Sequence, residues 1–236
     1  MRKHHRLLVS RPVPFKSDLI SKPAGINFPA GFVFTIQDWN SKMPLPENNA
    51  AFGKETALVV LDVQKAIDDP KWASKNNPGY VDKIVDLLAA FRAANLPVIH
   101  IRHDEPNPAS TYHTDGPGNA IKPEVAPLAG EPVIAKNVNC AFIATDLEKY
   151  LHDHGITRLI FTGVVIHNSM DASIRVAHCL GFDVILPLDA TTAIDVTDAK
   201  GVRHDAQTVF DLFAAVLGSE YCALSTTDDV IAALPA

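Results

Sequence analysis

The stretch LIFTGVVIHNSMDAS, residues 159–173, decides the fold, because an apolar run turns into a helical pattern within a few residues. We interpret it as a buried strand interrupted at the Thr-Gly pair, then a tight turn and the start of a helix. The turn carries His167, Asn168 and Ser169. A helix N-terminus offers free N–H groups and a positive dipole end, which can stabilise an oxyanion beside a nucleophile. The stretch therefore indicates an enzyme.

Strand and helix patterns alternate on both sides of this stretch. Continuous apolar runs, typical of strands covered on both faces, predict strands at 57–63, 97–101, 132–135, 158–162, 182–186 and 221–225. Helical spacing predicts helices at 80–94, 145–154, 169–180 and 204–217. Thr145 is expected to cap the second helix, and Gly155 and Gly181 are expected to close the second and third. This order predicts a doubly wound, Rossmann-type α/β protein, with a mostly parallel sheet in a three-layer α/β/α sandwich.

Residues 1–55 differ from the α/β domain expected at 56–236, since they are rich in Pro, Lys and Asn and have weak periodicity. We interpret them as an irregular N-terminal extension with a short strand at 31–36. Two hypotheses stay open: a surface arm or disordered leader, or an arm that covers the site of a neighbouring subunit.

Charge and composition exclude several classes of partner. The net charge of −6 argues against nucleic acid or an anionic membrane as the main partner. No apolar run approaches the roughly 20 residues of a membrane span, and the N-terminal LLV is too short for a secretory signal. Cys140, Cys179 and Cys222 are too scattered for a disulfide framework. We therefore expect a protein of the reducing cytoplasm that acts on a small molecule.

Polar side chains follow several of the predicted strands, and ligands of parallel sheets bind beyond the carboxyl ends of the strands. The positions gathered there are Asp62, His103, Asp104, Lys136, 163–169 and Asp189.

Three of these residues are candidates for catalysis. Asp62 interrupts an apolar strand, where a carboxylate is costly unless it is paired, so it is either a general acid/base or a structural cap. Lys136 either keeps Asp62 ionised or is a solvated surface lysine. Ser169 is either a nucleophile or substrate donor, or an ordinary first-turn serine. The chain has no G-x-S-x-G elbow or Ser-His-Asp order, which argues against a serine-hydrolase triad.

Other kinds of site find little support in the sequence. No G-x-G-x-x-G or P-loop pattern is present, so we expect no cofactor. His100 and His103 alternate faces of a strand, and the spacing of His103, Asp104 and His113 is not diagnostic of a metal site. Cys140 has no evident base beside it. We expect no bound metal.

Ordered motifs across residues 56–232 resemble the isochorismatase-like (cysteine hydrolase) superfamily, which includes nicotinamidases, carbamoyl-group amidohydrolases and isochorismatases. LVVLDVQ is similar to the motif of the catalytic Asp, here Asp62 with Gln64 beside it. EPVIAKNVNCAF is similar to the segment of the catalytic lysine, here Lys136, and TGVVIHNSMDAS to the nucleophile turn. VIHIRHD and VILPLDATTA resemble the neighbouring strands.

The resemblance implies a mechanism in which the Asp takes the proton of a cysteine thiol and the Lys supports the charge. The thiolate then attacks an amide carbonyl, and backbone N–H groups hold the oxyanion. The resemblance also implies a cis peptide at Val164–Val165, which would aim the Val165 amide at this oxyanion. Nicotinamidases carry a metal site, but its pattern is absent here.

The chain departs from the pattern at the nucleophile, because the cysteine position is Ser169, a far weaker acid than a thiol. Three interpretations remain: a natural variant with weak or different hydrolysis, an engineered Cys-to-Ser form, or chemistry that needs no nucleophile. We favour a natural variant. In the nucleophile-free case, as the resemblance to true isochorismatases implies, His167, Asn168 and Ser169 orient the substrate.

The sequence thus predicts a hydrolase that acts on a C–N bond of an amide or carbamoyl group, or by related nucleophile-free hydrolysis. The alternative is a catalytically silent protein that binds a small molecule in the same pocket. We expect Phe142, His103, Tyr112 and the N-terminal extension to form pocket walls. The resemblance also implies a homo-oligomer, a dimer or a tetramer.

Overall fold

The structure is a computed structural model that describes residues 52–72 and 74–235. Most of the expected N-terminal extension, including the strand at 31–36 and the possible arm, lies outside the described residues. Within this part of the chain, no helix combines the length and the apolar character needed to cross a membrane.

A parallel sheet forms the centre of the described chain. Its strands are β1 (Thr56–Leu61), β2 (Val98–His103), β3 (Val133–Lys136), β4 (Arg158–Val164), β5 (Asp183–Pro187), the short β6 (Thr191–Thr192) and β9 (Ala223–Ser225). They run in the order β3–β2–β1–β4–β5–β9, with β6 beside β4, and every pairing is parallel. Successive strands are added outward on both sides of the β1–β4 pair, so the switch point lies between these two strands.

Helices cover both faces of the sheet. One face packs against α1 (Tyr80–Ala93) and α5 (Thr227–Ala232), with Phe91 and Val230 among the buried contacts. The other face packs against α2 (Leu147–Asp153), α3 (Asp171–Cys179) and α4 (Ala206–Glu220), with Leu151 and Ile174 buried. Strands covered on both faces need continuous apolar runs, which explains the pattern in the sequence. The predicted three-layer α/β fold is confirmed.

Several helix boundaries differ from those predicted. α2 begins at Leu147 and not at Thr145; the Thr145 hydroxyl donates to the Ala141 carbonyl at 2.6 Å and accepts from the Leu147 amide at 3.3 Å. The predicted helix at 204–217 begins at Ala206, because the Asp205 side chain accepts from the Thr208 amide at its N-cap. Two elements were not expected from the sequence: α5, and the hairpin of β7 (Val196–Thr197) and β8 (Arg203–His204).

The interruption of the strand expected at the Thr-Gly pair is wrong, because Gly163 lies inside β4 at a φ of 124°. A Cβ there would lie 2.0 Å from the carbonyl oxygen of Leu61 on the neighbouring strand. Glycine therefore allows β1 and β4 to approach closely at the switch point. A π-helical turn, Ile166–Met170, leads directly from β4 into α3, so helical structure starts before Ser169.

Candidate active site

Two charged side chains meet at the carboxyl edge of the sheet. Asp62 is the first residue after β1, and its φ of 57° is a left-handed conformation that Asp tolerates better than most residues. Lys136 is the last residue of β3. The Lys136 Nζ donates to Asp62 Oδ2 at 2.7 Å, and the two side chains are 0% and 6% exposed. The structure thus brings together residues from the carboxyl ends of β1 and β3, two strands that are separated by β2.

The Lys136 ammonium has more acceptors than protons. Besides Asp62, its Nζ lies 3.0 Å from His103 Nδ1 and 3.2 Å from both the Val138 carbonyl oxygen and Ser169 Oγ. An ammonium carries three N–H donors, so four acceptors compete for them. A fixed positive charge therefore lies next to the Ser169 hydroxyl, where it would stabilise negative charge that develops on the oxygen.

The environment of Asp62 favours a role as a base. Burial raises the pKa of its carboxyl above the usual range, while the Lys136 charge and hydrogen bonds from Lys136 and Ser169 oppose that rise. Its Oδ1 is buried and has no hydrogen-bond partner within the described residues. A raised pKa makes this carboxylate a stronger base than a solvated one, and Oδ1 is free to accept a proton.

Ser169 lies within the π-helical turn and is 6% exposed. The amides of Asn168 and Met170 both donate to the Val165 carbonyl, at 3.1 and 3.4 Å, which closes the turn. The Val164–Val165 peptide is cis, as the family resemblance implies. π-Helical turns are rare and occur frequently at functional sites.

A cavity of about 200 Å³ opens in front of these groups. Six of the expected site residues line it: Asp62, His103, Tyr112, Val165, Asn168 and Ser169. The remaining wall residues were not expected from the sequence; they are Ile67, Lys71, Trp72, Glu105, Ser110, Asn139 and Val164. Trp72 and Lys71 belong to the segment that follows β1. Because that segment starts at the carboxyl edge of the sheet, where ligands bind, its position could have indicated these two residues.

Besides Lys136, which contacts the wall residues Asp62 and Ser169, three expected site residues do not line this cavity. Gln64 is fully buried, Phe142 stacks on Phe182 at 6.0 Å between ring centroids, and His167 packs against Phe213 at 5.8 Å. Burial lowers the pKa of the His167 imidazole. Phe142 is therefore a core residue and not a wall of the cavity.

Gln64 instead fixes the position of His103. Its Oε1 accepts from the His103 amide at 2.7 Å, and its Nε2 donates to the carbonyl oxygens of His103 and Asn119 at 2.9 and 2.8 Å. The His103 ring packs edge-on against Tyr112 with centroids 5.7 Å apart. Because the Lys136 ammonium can only donate, His103 Nδ1 accepts, which places the ring proton on Nε2, 3.5 Å from Glu105 Oε2.

His103, Asp104 and His113, the residues considered as metal ligands, make contacts with other protein groups. Arg102 binds Asp104 through Nε and Nη2 at 2.7 and 2.8 Å, and these hydrogen bonds lower the pKa of the Asp104 carboxyl. His113 Nδ1 lies 3.2 Å from the Glu105 carbonyl oxygen. Within residues 52–72 and 74–235, no three His, Cys, Asp or Glu side chains are grouped as metal ligands.

A larger and more open hollow of about 410 Å³ lies at the opposite, amino edge of the sheet, beside Phe182 and Asp183. It contains none of the groups that converge on Lys136. The smaller cavity at the carboxyl edge is therefore the candidate active site.

Comparison with known proteins agrees with this geometry. Residues 56–220 match the isochorismatase domain. The chain is 36% identical to the isochorismatase family protein YrdC of Bacillus subtilis, over 75% of this chain and 95% of that protein. It is 28% identical to the maleamate amidohydrolase of Pseudomonas putida, over 76% of this chain and 87% of that enzyme. The crystal structure of an isochorismatase-family hydrolase from Chromobacterium violaceum superposes with a TM-score of 0.75 at 43% identity, covering 81% of this chain and 98% of that one. The chain therefore belongs to the isochorismatase family of hydrolases.

Proposed function

We propose that the protein hydrolyses a C–N bond of a small amide or carbamoyl compound, with Ser169 as the nucleophile. The observation that carries this proposal is the contact of the Lys136 ammonium with both Asp62 and Ser169 at the base of a cavity. A nucleophile, a base and a fixed positive charge are the groups that acyl transfer requires. The similarity to an enzyme named maleamate amidohydrolase supports an amide substrate.

In the proposed first step, Asp62 Oδ1 takes the Ser169 hydroxyl proton while Oγ attacks the substrate carbonyl carbon. The carbonyl π electrons move to its oxygen, and we assign the Val165 and Ser169 backbone N–H groups to this oxyanion. When the intermediate collapses, the C–N bond breaks and Asp62 returns the proton to the departing nitrogen. Water, deprotonated by Asp62, then attacks the acyl-serine, and the proton returns to Ser169 Oγ.

Serine makes the first step more demanding than cysteine would, because its hydroxyl is a far weaker acid than a thiol. The Lys136 ammonium, 3.2 Å from Oγ, supplies part of the stabilisation that the anion lacks. In the second candidate mechanism Asp62 activates water directly and Ser169 only orients the substrate. Asp62 Oδ1, which has no hydrogen-bond partner among residues 52–72 and 74–235, is compatible with both mechanisms.

Mass spectrometry of the intact chain after mixing with a panel of small amides and carbamoyl compounds tests this proposal. We expect an acyl adduct on Ser169, and we expect Ser169→Ala to lose both the adduct and turnover. Ser219→Ala, in an exposed serine of α4, is the matched control and should keep both. Full turnover by Ser169→Ala would instead favour the nucleophile-free mechanism. Undiminished turnover by Asp62→Asn would contradict both mechanisms.

A catalytically silent binding protein is the alternative function, and the absence of the family's thiol favours it. Tight binding of panel compounds without turnover by the native chain would support this alternative. Turnover that appears only after Ser169→Cys would show that the pocket retains the cysteine mechanism.

The proposal includes the homo-oligomer, a dimer or tetramer, and the cytoplasmic setting that we expect from the sequence. Light scattering of the full chain measures the oligomeric state, and a monomer at working concentration would contradict that part of the proposal.

A further inference from the structure

We propose that two copies of this chain pair through β3, so that the sheets of both copies join into one continuous sheet. The inference rests on the homo-oligomer of the proposed function and deepens it, because it names the surface through which the copies meet. β3 ends one side of the sheet, and no described residue forms a strand beyond it. A strand in this position is a template for pairing with another chain unless something protects it.

The backbone of β3 leaves hydrogen-bonding groups unused on its outer side. The His100 amide donates to the Pro132 carbonyl oxygen at 2.9 Å. Alternate residues of a parallel strand bond to the same neighbour, so the N–H and C=O groups of Val133 and Ala135 point away from β2. Among residues 52–72 and 74–235 these groups have no hydrogen-bond partner. A strand laid beside β3 would satisfy them.

The side chains around β3 expose no charge. Residues 125–145, which we call the β3 border, contain two charged side chains, Glu131 and Lys136. These are 12% and 0% exposed, and they bind Arg92 and Asp62. Four of the ten large apolar side chains that are exposed in the described part of the chain lie in this border: Leu128, Val133, Val138 and Ile143. Edge strands that stay unpaired commonly carry exposed charges, so an uncharged apolar border indicates a covered surface.

A second copy of this chain is the occupant that fits the β3 border. Antiparallel pairing about a two-fold axis at Ile134 places Val133 of one copy opposite Ala135 of the other. Each of these two pairs exchanges two N–H···O=C bonds, so the pairing uses all the outward backbone groups of Val133 and Ala135 in both copies. The uncharged border also lets two chains of net charge −6 meet without bringing like charges into contact.

The β3 border lies beside the candidate active site. β3 ends at Lys136, and the Val138 carbonyl oxygen accepts from Lys136 Nζ at 3.2 Å. Asn139, the next residue, lines the cavity. Pairing of two copies would therefore brace the strand that holds Lys136 against Asp62 and Ser169.

Disulfide trapping in the full chain tests the register of this pairing. The Ile134 residues of the two copies would form a non-hydrogen-bonded pair with Cα atoms about 4.5 Å apart, a distance that a disulfide spans. The two Val133 residues would lie diagonally, with Cα atoms about 8 Å apart, too far for a disulfide. We expect mild oxidation to convert most of the Ile134→Cys variant to a covalent dimer, but not the Val133→Cys variant.

Val133→Cys is the matched control for this experiment. Val133 is more exposed than Ile134, so random collisions between chains would cross-link the control more readily. The native chain, with its own three cysteines, gives the background of the assay.

Light scattering of charged variants tests the interface without a cross-link. The Val133 side chain is 41% exposed, so a single chain accommodates lysine there, but the joined border would then hold two ammonium groups close together. We expect Val133→Lys to have half the native mass, with an unchanged circular dichroism spectrum. An equal mixture of Val133→Lys and Val133→Glu chains should regain the native mass, because unlike charges then meet. Leu212→Lys, at a 61% exposed apolar side chain of α4, is the matched control and should keep the native mass.

A native mass for Val133→Lys, equal cross-linking at positions 133 and 134, or no cross-link at position 134 would overturn the inference. A monomeric native chain would also overturn it, and another segment or another protein would then be the occupant of the β3 border. The two proposals fail separately. An oligomer without the Ile134→Cys cross-link contradicts only pairing through β3, whereas a dimer paired through β3 that hydrolyses no amide contradicts only the proposed hydrolysis.

Discussion

Replacement of Lys136 by Met tests the central ion pair of the site. The substitution keeps an unbranched side chain of similar length but leaves Asp62 without its partner at 2.7 Å. At an effective dielectric constant of ~20, the attraction across that distance is about 6 kcal/mol before desolvation is subtracted. Both side chains are almost fully buried, so we expect Lys136→Met to lower the free energy of unfolding by about 3–5 kcal/mol near neutral pH.

A second substitution separates the lost attraction from lost packing. Asp62→Asn removes the unpaired charge and suits the left-handed backbone at this position, where Asn is among the best tolerated residues. We expect the double variant Asp62→Asn/Lys136→Met to regain about 2 kcal/mol relative to Lys136→Met, with a buried amide as the remaining cost. Lys149→Met, which breaks an exposed pair with Asp153, is the matched control and should change stability little.

The cost of Lys136→Met should also depend on pH. Burial raises the pKa of Asp62, and the charge and hydrogen bond of Lys136 are the main effects that oppose this rise. In the Lys136→Met variant both are lost. Between the unfolded pKa of about 3.9 and the higher folded value, the folded state binds more protons, so stability falls as pH rises. The difference between native chain and variant should therefore shrink in acid.

Urea unfolding followed by circular dichroism at a series of pH values measures these differences. A cost below about 1 kcal/mol, or a cost that is the same in acid and at neutral pH, would refute the electrostatic reasoning. Failure of Asp62→Asn to restore stability would show that lost packing, and not the unpaired charge, causes the effect.

Three further predictions concern residues around the site. Gly163→Ala should cost more than about 3 kcal/mol or prevent folding, because its Cβ would lie 2.0 Å from the Leu61 carbonyl oxygen. Gly130→Ala, with a φ of 94° and open space around it, should cost only about 1 kcal/mol, and thermal unfolding compares the two. Burial alone would raise the pKa of Glu131, but hydrogen bonds, led by those from Arg92, lower it to about 2. This carboxylate should therefore contribute about 3 kcal/mol to the free energy of unfolding, and the native chain should lose that contribution as pH falls from about 4.5 towards 2. Glu131→Gln should flatten that acid loss in urea titrations, and an unchanged slope would contradict the assignment. Gln64→Leu removes three hydrogen bonds and should cost about 2–3 kcal/mol, with faster amide exchange at His103; unchanged exchange would contradict the role of Gln64.

Local pattern determined the layers of the fold. A strand covered on both faces must be apolar throughout, so runs such as ALVVL at 57–61 were recognisable without any knowledge of their neighbours. The same logic made Asp62 conspicuous, because a carboxylate at the end of such a run needs a partner. Because the carboxyl ends of parallel strands lie at the same edge of a sheet, Lys136 and Ser169 were expected at that edge together with Asp62.

Side-chain direction was decided only by tertiary packing. Phe142 was expected in the cavity and packs on Phe182, while Gln64 turns inward to bind His103. Lys71 and Trp72 line the cavity, and Trp72 is held there by a hydrogen bond to Thr111, which is distant in the sequence. The residues next to Lys71 and Trp72 in the sequence do not indicate that contact. Apolar periodicity is a property of neighbouring residues and can be read along the chain. The composition of a cavity depends on contacts between segments far apart in the sequence, which exist only once the layers have packed.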